Sequence, residues 1–162
     1  MVARERRLIM ALGITDNLSA TTVVRDTYRA VAKQGRPCME EDNGSCKYIH
    51  EDDDGNTTNC AVGHWLPDKL NRELERCAVG GITRAIKYIE DNAGGAYDTE
   101  LAFLKEHEDL LRQLQEAHDN LVEDSCPDEY WPYIWYERCK TIAKCFDGGA
   151  NFPYIKPEKQ GD

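Results

Sequence analysis

Apolar residues recur at three- and four-residue steps through most of this chain, so the pattern predicts helices. Leu8, Ile9 and Leu12 share one face of a short segment at about 2–12, which Gly13 stops. Ser19 fits the N-cap of a helix over 20–34, where its hydroxyl satisfies an orphan first-turn N–H. Val23, Val24, Tyr28 and Val31 form the apolar face of that helix, with Thr27 between them, and Gly35 and Pro37 end it. Pro67 suits the first turn of a helix over 67–77. Between Gly80-Gly81 and Gly94-Gly95, a helix over 82–92 turns Ile82, Ala85, Ile86 and Ile89 inward. The strongest repeat predicts one long helix over 98–123, on Leu101, Leu104, Leu111, Leu114 and Leu121, with Glu108 and His118 in the gaps. Cys126-Pro127 ends it. A last helix over 130–146 packs Ile134, Trp135, Ile142, Cys145 and Phe146, with Pro132 tolerated in its first turn. Gly148-Gly149, Pro153 and Pro157 predict an extended tail over 149–162.

The period changes at about 45–62. Two short β-prone pieces flank Asp54-Gly55-Asn56, which predicts a hairpin. The expected fold is mainly α (α+β), with four to six helices and one small β-hairpin, in a single domain over 1–148. A chain of 162 residues suits one domain. It is long enough to bury roughly 70% of its unfolded surface.

Charge adds a second layer. The net charge is −10, which argues against direct nucleic-acid or anionic-membrane binding, since both need cationic surface. No apolar run approaches the length of a membrane span. Residues 40–68 hold eight acidic residues and one basic, and residues 98–129 hold eleven and two. These two segments therefore carry the whole acidic excess, which leaves a basic protein surface as the complementary partner. Arg4, Arg6 and Arg7 before Leu8–Ile14 imitate a leader peptide, but Glu5 and Asp16 interrupt that pattern. Seven cysteines spread from Cys38 to Cys145 are an odd set, expected as free thiols in a reducing cytoplasm.

The hairpin segment holds the candidate chemistry. Cys46 and Cys60 are each followed four residues later by a histidine, His50 and His64. These four residues have the ligand chemistry of tetrahedral zinc, with Cys38 as a substitute ligand. Residues four apart on a strand lie roughly 13 Å apart, so the site also needs Cys60 to His64 to turn helically. The other reading is a hairpin whose two cysteines pack across the strands as small hydrophobes. Asp52, Asp54 and Asn56 alternate as in a calcium loop, but Thr57 stands where that loop needs glycine. Cys60 with His64, or Cys77 beside Arg76, are fragments of a thiol nucleophile without an orienting third group. The expectation is a protein that is not an enzyme and carries no cofactor unless zinc. Tyr130, Trp131 and Trp135 belong to an aromatic run too dense for a core alone, and such residues anchor interfaces. With Asp52, Asp53, Asp54, Glu106, Asp109 and Glu116 they make the expected partner-binding set.

Val31-Ala-Lys-Gln-Gly-Arg-Pro37, Cys46-Lys-Tyr48, Gly55, Cys60-Ala-Val-Gly-His-Trp-Leu-Pro-Asp68 and Leu110-Leu-Arg-Gln-Leu-Gln-Glu-Ala-His-Asp119, with Ile142-Ala143, resemble a family of small tailed-bacteriophage proteins. The resemblance spans about two thirds of the chain. It implies an accessory protein acting in the cytoplasm of an infected host cell. It also implies that the two cysteines pair on the hairpin, and that the His50 position commonly holds another residue. The leading expectation is a phage protein for host takeover or anti-defence that binds and inhibits a bacterial protein through an acidic, nucleic-acid-mimicking face. The alternatives are a small metal-stabilised structural module and, third, an enzyme of unrecognised type.

Overall fold

The computed structural model describes residues 18–38, 47–123, 129–147 and 152–156. Among these, six α-helices and one antiparallel hairpin run in the order α1 (Ala20–Gln34), β1 (Ile49–Glu51), β2 (Thr57–Asn59), α2 (Asp68–Arg76), α3 (Ile82–Asn92), α4 (Asp98–Glu106), α5 (Glu108–Glu123) and α6 (Trp131–Asp147). A single 3₁₀ turn, Gly63–Trp65, joins β2 to α2. The fold is mainly α with one small hairpin, as the periodicity predicts. The expected helix at 2–12 lies outside the described residues.

Ser19 caps α1 by accepting the Thr22 N–H at 3.2 Å, and Gly35 closes it in the left-handed conformation at φ 81°. The segment predicted as one helix over 98–123 is two. At His107 the backbone leaves the helical region (φ −111°, ψ 20°), and the buried imidazole packs on Phe103 with the rings tilted by 55° and their centroids 4.9 Å apart. The charges fit a stop and a restart: Lys105 closes α4, while Glu108 and Asp109 open α5, each sign favouring its helix end.

The core forms where α6 packs against both α1 and α5. Trp135 is fully buried there and donates its indole N–H to the Tyr28 carbonyl at 3.3 Å. The inward stripe of α6 is Trp131, Trp135, Cys139, Ile142 and Ala143, a spacing of four, four and three that then reaches the next residue. This corrects two expectations. Trp131 fills the core instead of facing a partner, while Trp135 is buried as its place on the packed face of the helix predicts, which takes both out of the partner-binding set. Cys145, about 80° around the helix from Trp135 at 100° per residue, is exposed, and Phe146 in the last turn is exposed with it.

The expected tail is also partly core. Phe152 is buried, with its ring centroid 5.2 Å from that of Tyr28. Tyr28 Oη accepts the Ile155 N–H at 2.7 Å, and Tyr136 Oη donates to the Phe152 carbonyl at 3.2 Å. Residues 152–156 thus lie, without regular secondary structure, against α1 and α6.

Candidate functional site

Cys60-Ala-Val-Gly-His-Trp-Leu-Pro-Asp68 leaves β2, turns once and enters α2. The His64 N–H reaches the Cys60 carbonyl at 3.2 Å, so the chain does turn helically between them. Ala61, Val62, Trp65 and Leu66 are buried. The Asn59 and Asn71 amides both donate to the Gly63 carbonyl, at 3.2 and 2.8 Å. Trp65 Nε1 donates to Thr27 Oγ1 at 2.9 Å. The segment therefore ties the hairpin to α1 and α2.

The hairpin register pairs Ile49 with Asn59, His50 with Thr58 and Glu51 with Thr57. Continued by one pair, it sets Cys60 across from Tyr48, whose carbonyl accepts the Cys60 N–H at 3.3 Å. The expected pairing of Cys60 with Cys46 falls on a residue outside the described ones. The thiol that raises the charge cost at Cys60 is instead Cys38. Cys38 donates its S–H to the Thr58 carbonyl at 3.3 Å, while Cys60 Sγ accepts the Gly63 N–H at 3.2 Å. Burial pushes the Cys60 thiol far up and the Cys38 thiol up to about 11, so both stay protonated at neutral pH. Protonated, hydrogen-bonded thiols are poor nucleophiles. Among the described residues, no three histidines, cysteines or carboxylates gather as a metal site. His50 is half-buried on β1.

His118 joins this layer from α5, fully buried. Its Nε2 accepts the Cys38 backbone N–H at 3.1 Å, so the proton of the neutral ring sits on Nδ1 and points at Asp119 Oδ1, 3.1 Å away. Asp119 Oδ1 also accepts from Gln115 Nε2, and Gln115 Oε1 accepts the Val62 N–H at 3.2 Å.

A cavity of about 300 Å³ opens beside this network. Tyr48, Cys60, Glu75, Gln115 and Asp119 line it, with Gly80 among the residues of its α2–α3 wall. Tyr48 is 7% exposed, and its hydroxyl is buried without a hydrogen-bond partner. Burial holds that phenol protonated, and Cys60, Glu75 and Asp119 add smaller contributions in the same direction. Glu75 Oε1 accepts the Tyr48 backbone N–H.

The acidic candidates divide. Asp52 is internal to the hairpin turn: its carboxylate accepts the N–H groups of Asn56 at 2.7 Å and Asp54 at 3.1 Å, and Arg36 at 2.9 Å. The Asn56 bond, then Arg36, hold its carboxyl below the usual range. Asp53 and Asp54 are exposed at the tip. On α4 and α5 the side chains of Glu106, Asp109 and Glu116 are exposed, and Arg112 bridges the last two at 3.3 and 3.2 Å. Tyr130 and Tyr133, not the neighbouring tryptophans, are exposed at 57% each. An open groove of about 510 Å³ between α5 and α6 brings Tyr133 together with Glu116 and Glu137.

Comparison with known proteins returns no matching family, no matching curated relative and no matching solved structure.

Proposed function

We propose that this chain is a binding protein that engages a basic surface of another protein through the outer side of α4, α5 and the α5–α6 groove. The observation that carries the reading is the groove itself. It sets an exposed tyrosine, Tyr133, beside two carboxylates, Glu116 and Glu137. An aromatic anchor next to acidic groups suits a basic partner, with charge steering the encounter and the ring slowing release. Asp109 and Glu106 extend the acidic side along α5 and α4, and Asp53 and Asp54 add exposed carboxylates at the hairpin tip. The resemblance to phage proteins gives the setting: an inhibitor of a nucleic-acid-handling or defence enzyme in the host cytoplasm. Among the described residues no helix is long and apolar enough to cross a membrane.

The test is capture from bacterial lysate by the immobilised full chain, at low and high salt. The expected result is a basic protein that elutes as salt rises, because exposed charges are screened over about 8–10 Å at physiological ionic strength. Asp109→Lys with Glu116→Lys should abolish capture, and Tyr133→Ala should raise the dissociation rate. A partner retained through high salt and through both sets of changes overturns the reading, as does no partner at all.

A further inference from the structure

We propose that residues 152–156 form a detachable strap that holds Tyr133, the exposed ring of the α5–α6 groove, in its binding position. What Tyr133 binds rests on the reading of that groove as a partner site, whereas the strap is defined without any partner.

The strap hangs on one apolar plug and two hydroxyls. Within 152–156 only Phe152 is buried; Pro153, Tyr154 and Lys156 are exposed and Ile155 is half-buried. The Phe152 ring fills the slot that Tyr28 of α1 and Tyr136 of α6 build together. Tyr28 Oη accepts the Ile155 N–H at 2.7 Å, and Tyr136 Oη donates to the Phe152 carbonyl at 3.2 Å. Among the described residues, no backbone-to-backbone hydrogen bond joins the segment to α1 or α6. The segment is thus seated as a docked peptide is, by side chains that bond its backbone. A piece with few buried apolar contacts and no backbone ladder opens at lower cost than the core.

What the strap touches gives it a role. A line of rings leads from the core to the groove. Centroids lie 5.5 Å apart from Tyr28 to Tyr136, 5.4 Å from Tyr136 to Tyr154 and 6.4 Å from Tyr154 to Tyr133. The last pair meets edge to face, and among the described residues Tyr154 is the ring packed on Tyr133. Such pairs attract beyond the area they bury. Tyr133 is 57% exposed, and a side chain so open samples several rotamers unless something holds it. Ordering it only on binding costs affinity, so a ring that is held beforehand binds better. The strap supplies that hold without closing the groove. With the strap seated, the groove keeps an open volume of about 510 Å³, and its lining includes Tyr133 but no strap residue. The seated strap therefore presents the anchor and does not block it.

The experiment is NMR on the isotope-labelled full chain. Amide exchange against urea tests release. The Ile155 N–H should exchange through a local opening that urea barely accelerates, while the N–H of buried Leu114 exchanges only with global unfolding. Tyr154→Ala leaves Phe152 in its slot and removes the ring against Tyr133. The χ1 couplings of Tyr133 should then average, with Ile155 protection unchanged. Ile155→Pro deletes the donor to Tyr28 and should free Tyr133 as well. The groove is probed with acetylated octa-arginine amide, which should shift the Glu116, Asn120 and Tyr133 amides saturably. Tyr154→Ala should weaken that binding about threefold to tenfold, the factor a ring pair carries. Ile155 exchanging only with global unfolding overturns the proposal. So does a Tyr133 ring that keeps its rotamer in both variants, or an octa-arginine affinity unchanged by Tyr154→Ala. No shift with octa-arginine in the parent chain overturns the reading of the groove instead, while exchange and couplings still decide the strap.

Discussion

A Cβ on Gly63 would collide with the carbonyl oxygen of Tyr48 and lie 3.1 Å from its carbonyl carbon. The obstacle is backbone, which no rotamer change can move. That carbonyl also accepts the Cys60 N–H, so giving way would break the last rung of the hairpin. Gly63→Ala is therefore expected to destabilise the chain by about 2–3 kcal/mol, at the upper end of overpacking costs. Gly63 is not in the left-handed region, so the cost is steric alone. Gly80→Ala, facing open space, is the control and should change stability by less than about 1 kcal/mol. Urea midpoints of the two variants check this. Equal midpoints would show that the hairpin slides freely over the 3₁₀ turn.

Phe152 tests whether residues 152–156 belong to the core. The ring meets Tyr28 and Tyr136, at centroid distances of 5.2 and 5.8 Å. Phe152→Ala should cost about 3 kcal/mol, the lower end of the range for a buried phenylalanine. Tyr154→Ala, at a position 42% exposed, should cost under about 1 kcal/mol. Thermal unfolding of both variants measures the difference. If Phe152→Ala melts with the parent chain, the segment does not contribute to the folded core.

Helix limits were legible wherever local chemistry fixes them. Ser19 and Gly35 bound α1, and the Gly80-Gly81 and Gly94-Gly95 pairs bound α3. One miss was local: the leucine repeat runs straight through His107, where Lys105 before the break and Glu108 and Asp109 after it mark a helix end and a restart. The other misses depended on partners distant in sequence. Trp131 looks like an interface anchor until the helices are packed, whereas Trp135 was legible as core from its place on the packed face, and Tyr28 takes its N–H. Prolines and glycines predict a free tail, but Phe152 finds a slot that α1 and α6 build together. The cavity was the least legible feature. Tyr48, Glu75 and Asp119 come from the hairpin's leading edge, α2 and α5, and no spacing rule links them. Gly63 was the one available signal, a glycine inside a buried run, which marks a close backbone approach.

Protonation of His107 sets a pH dependence. Burial holds its imidazole below the ordinary histidine range, against a smaller opposing pull from Glu106, whose carboxylate is 4.0 Å from Nε2. Nε2 is buried with no hydrogen bond. A depressed pKa means that the unfolded chain binds more protons than the folded one once pH drops below about 6.5. Stability should therefore fall as pH drops from about 6.5 towards the folded value, and be flat in this term above 7. His107→Phe keeps an aromatic ring against Phe103 and removes the proton. Urea midpoints between pH 5 and 8 should then vary less with pH than in the parent chain. An unchanged slope would place the titrating group elsewhere.

Thiol reactivity separates the packed cysteines from the exposed ones, residue by residue. A thiol reacts as its thiolate and only where reagent can reach it. Cys38 fails on both counts, buried and with its pKa up to about 11, and burial also pushes Cys60 and Cys139 well above the ordinary thiol value. Cys77 and Cys145 are exposed, although Cys77 Sγ sits 3.4 Å from the Tyr88 hydroxyl, whose own bond to Glu73 is 2.8 Å long. Brief alkylation with iodoacetamide at pH 8, followed by peptide mass mapping, should label Cys145 and Cys77 within minutes. Cys38, Cys60 and Cys139 should label only when urea unfolds the chain, and at the rate of global opening. Since Cys60 is among the residues that line the cavity, small alkylating reagents test its depth as well. Fast labelling of Cys60 in the folded chain would mean that the cavity reaches the thiol and that its proton is lost more easily than burial allows.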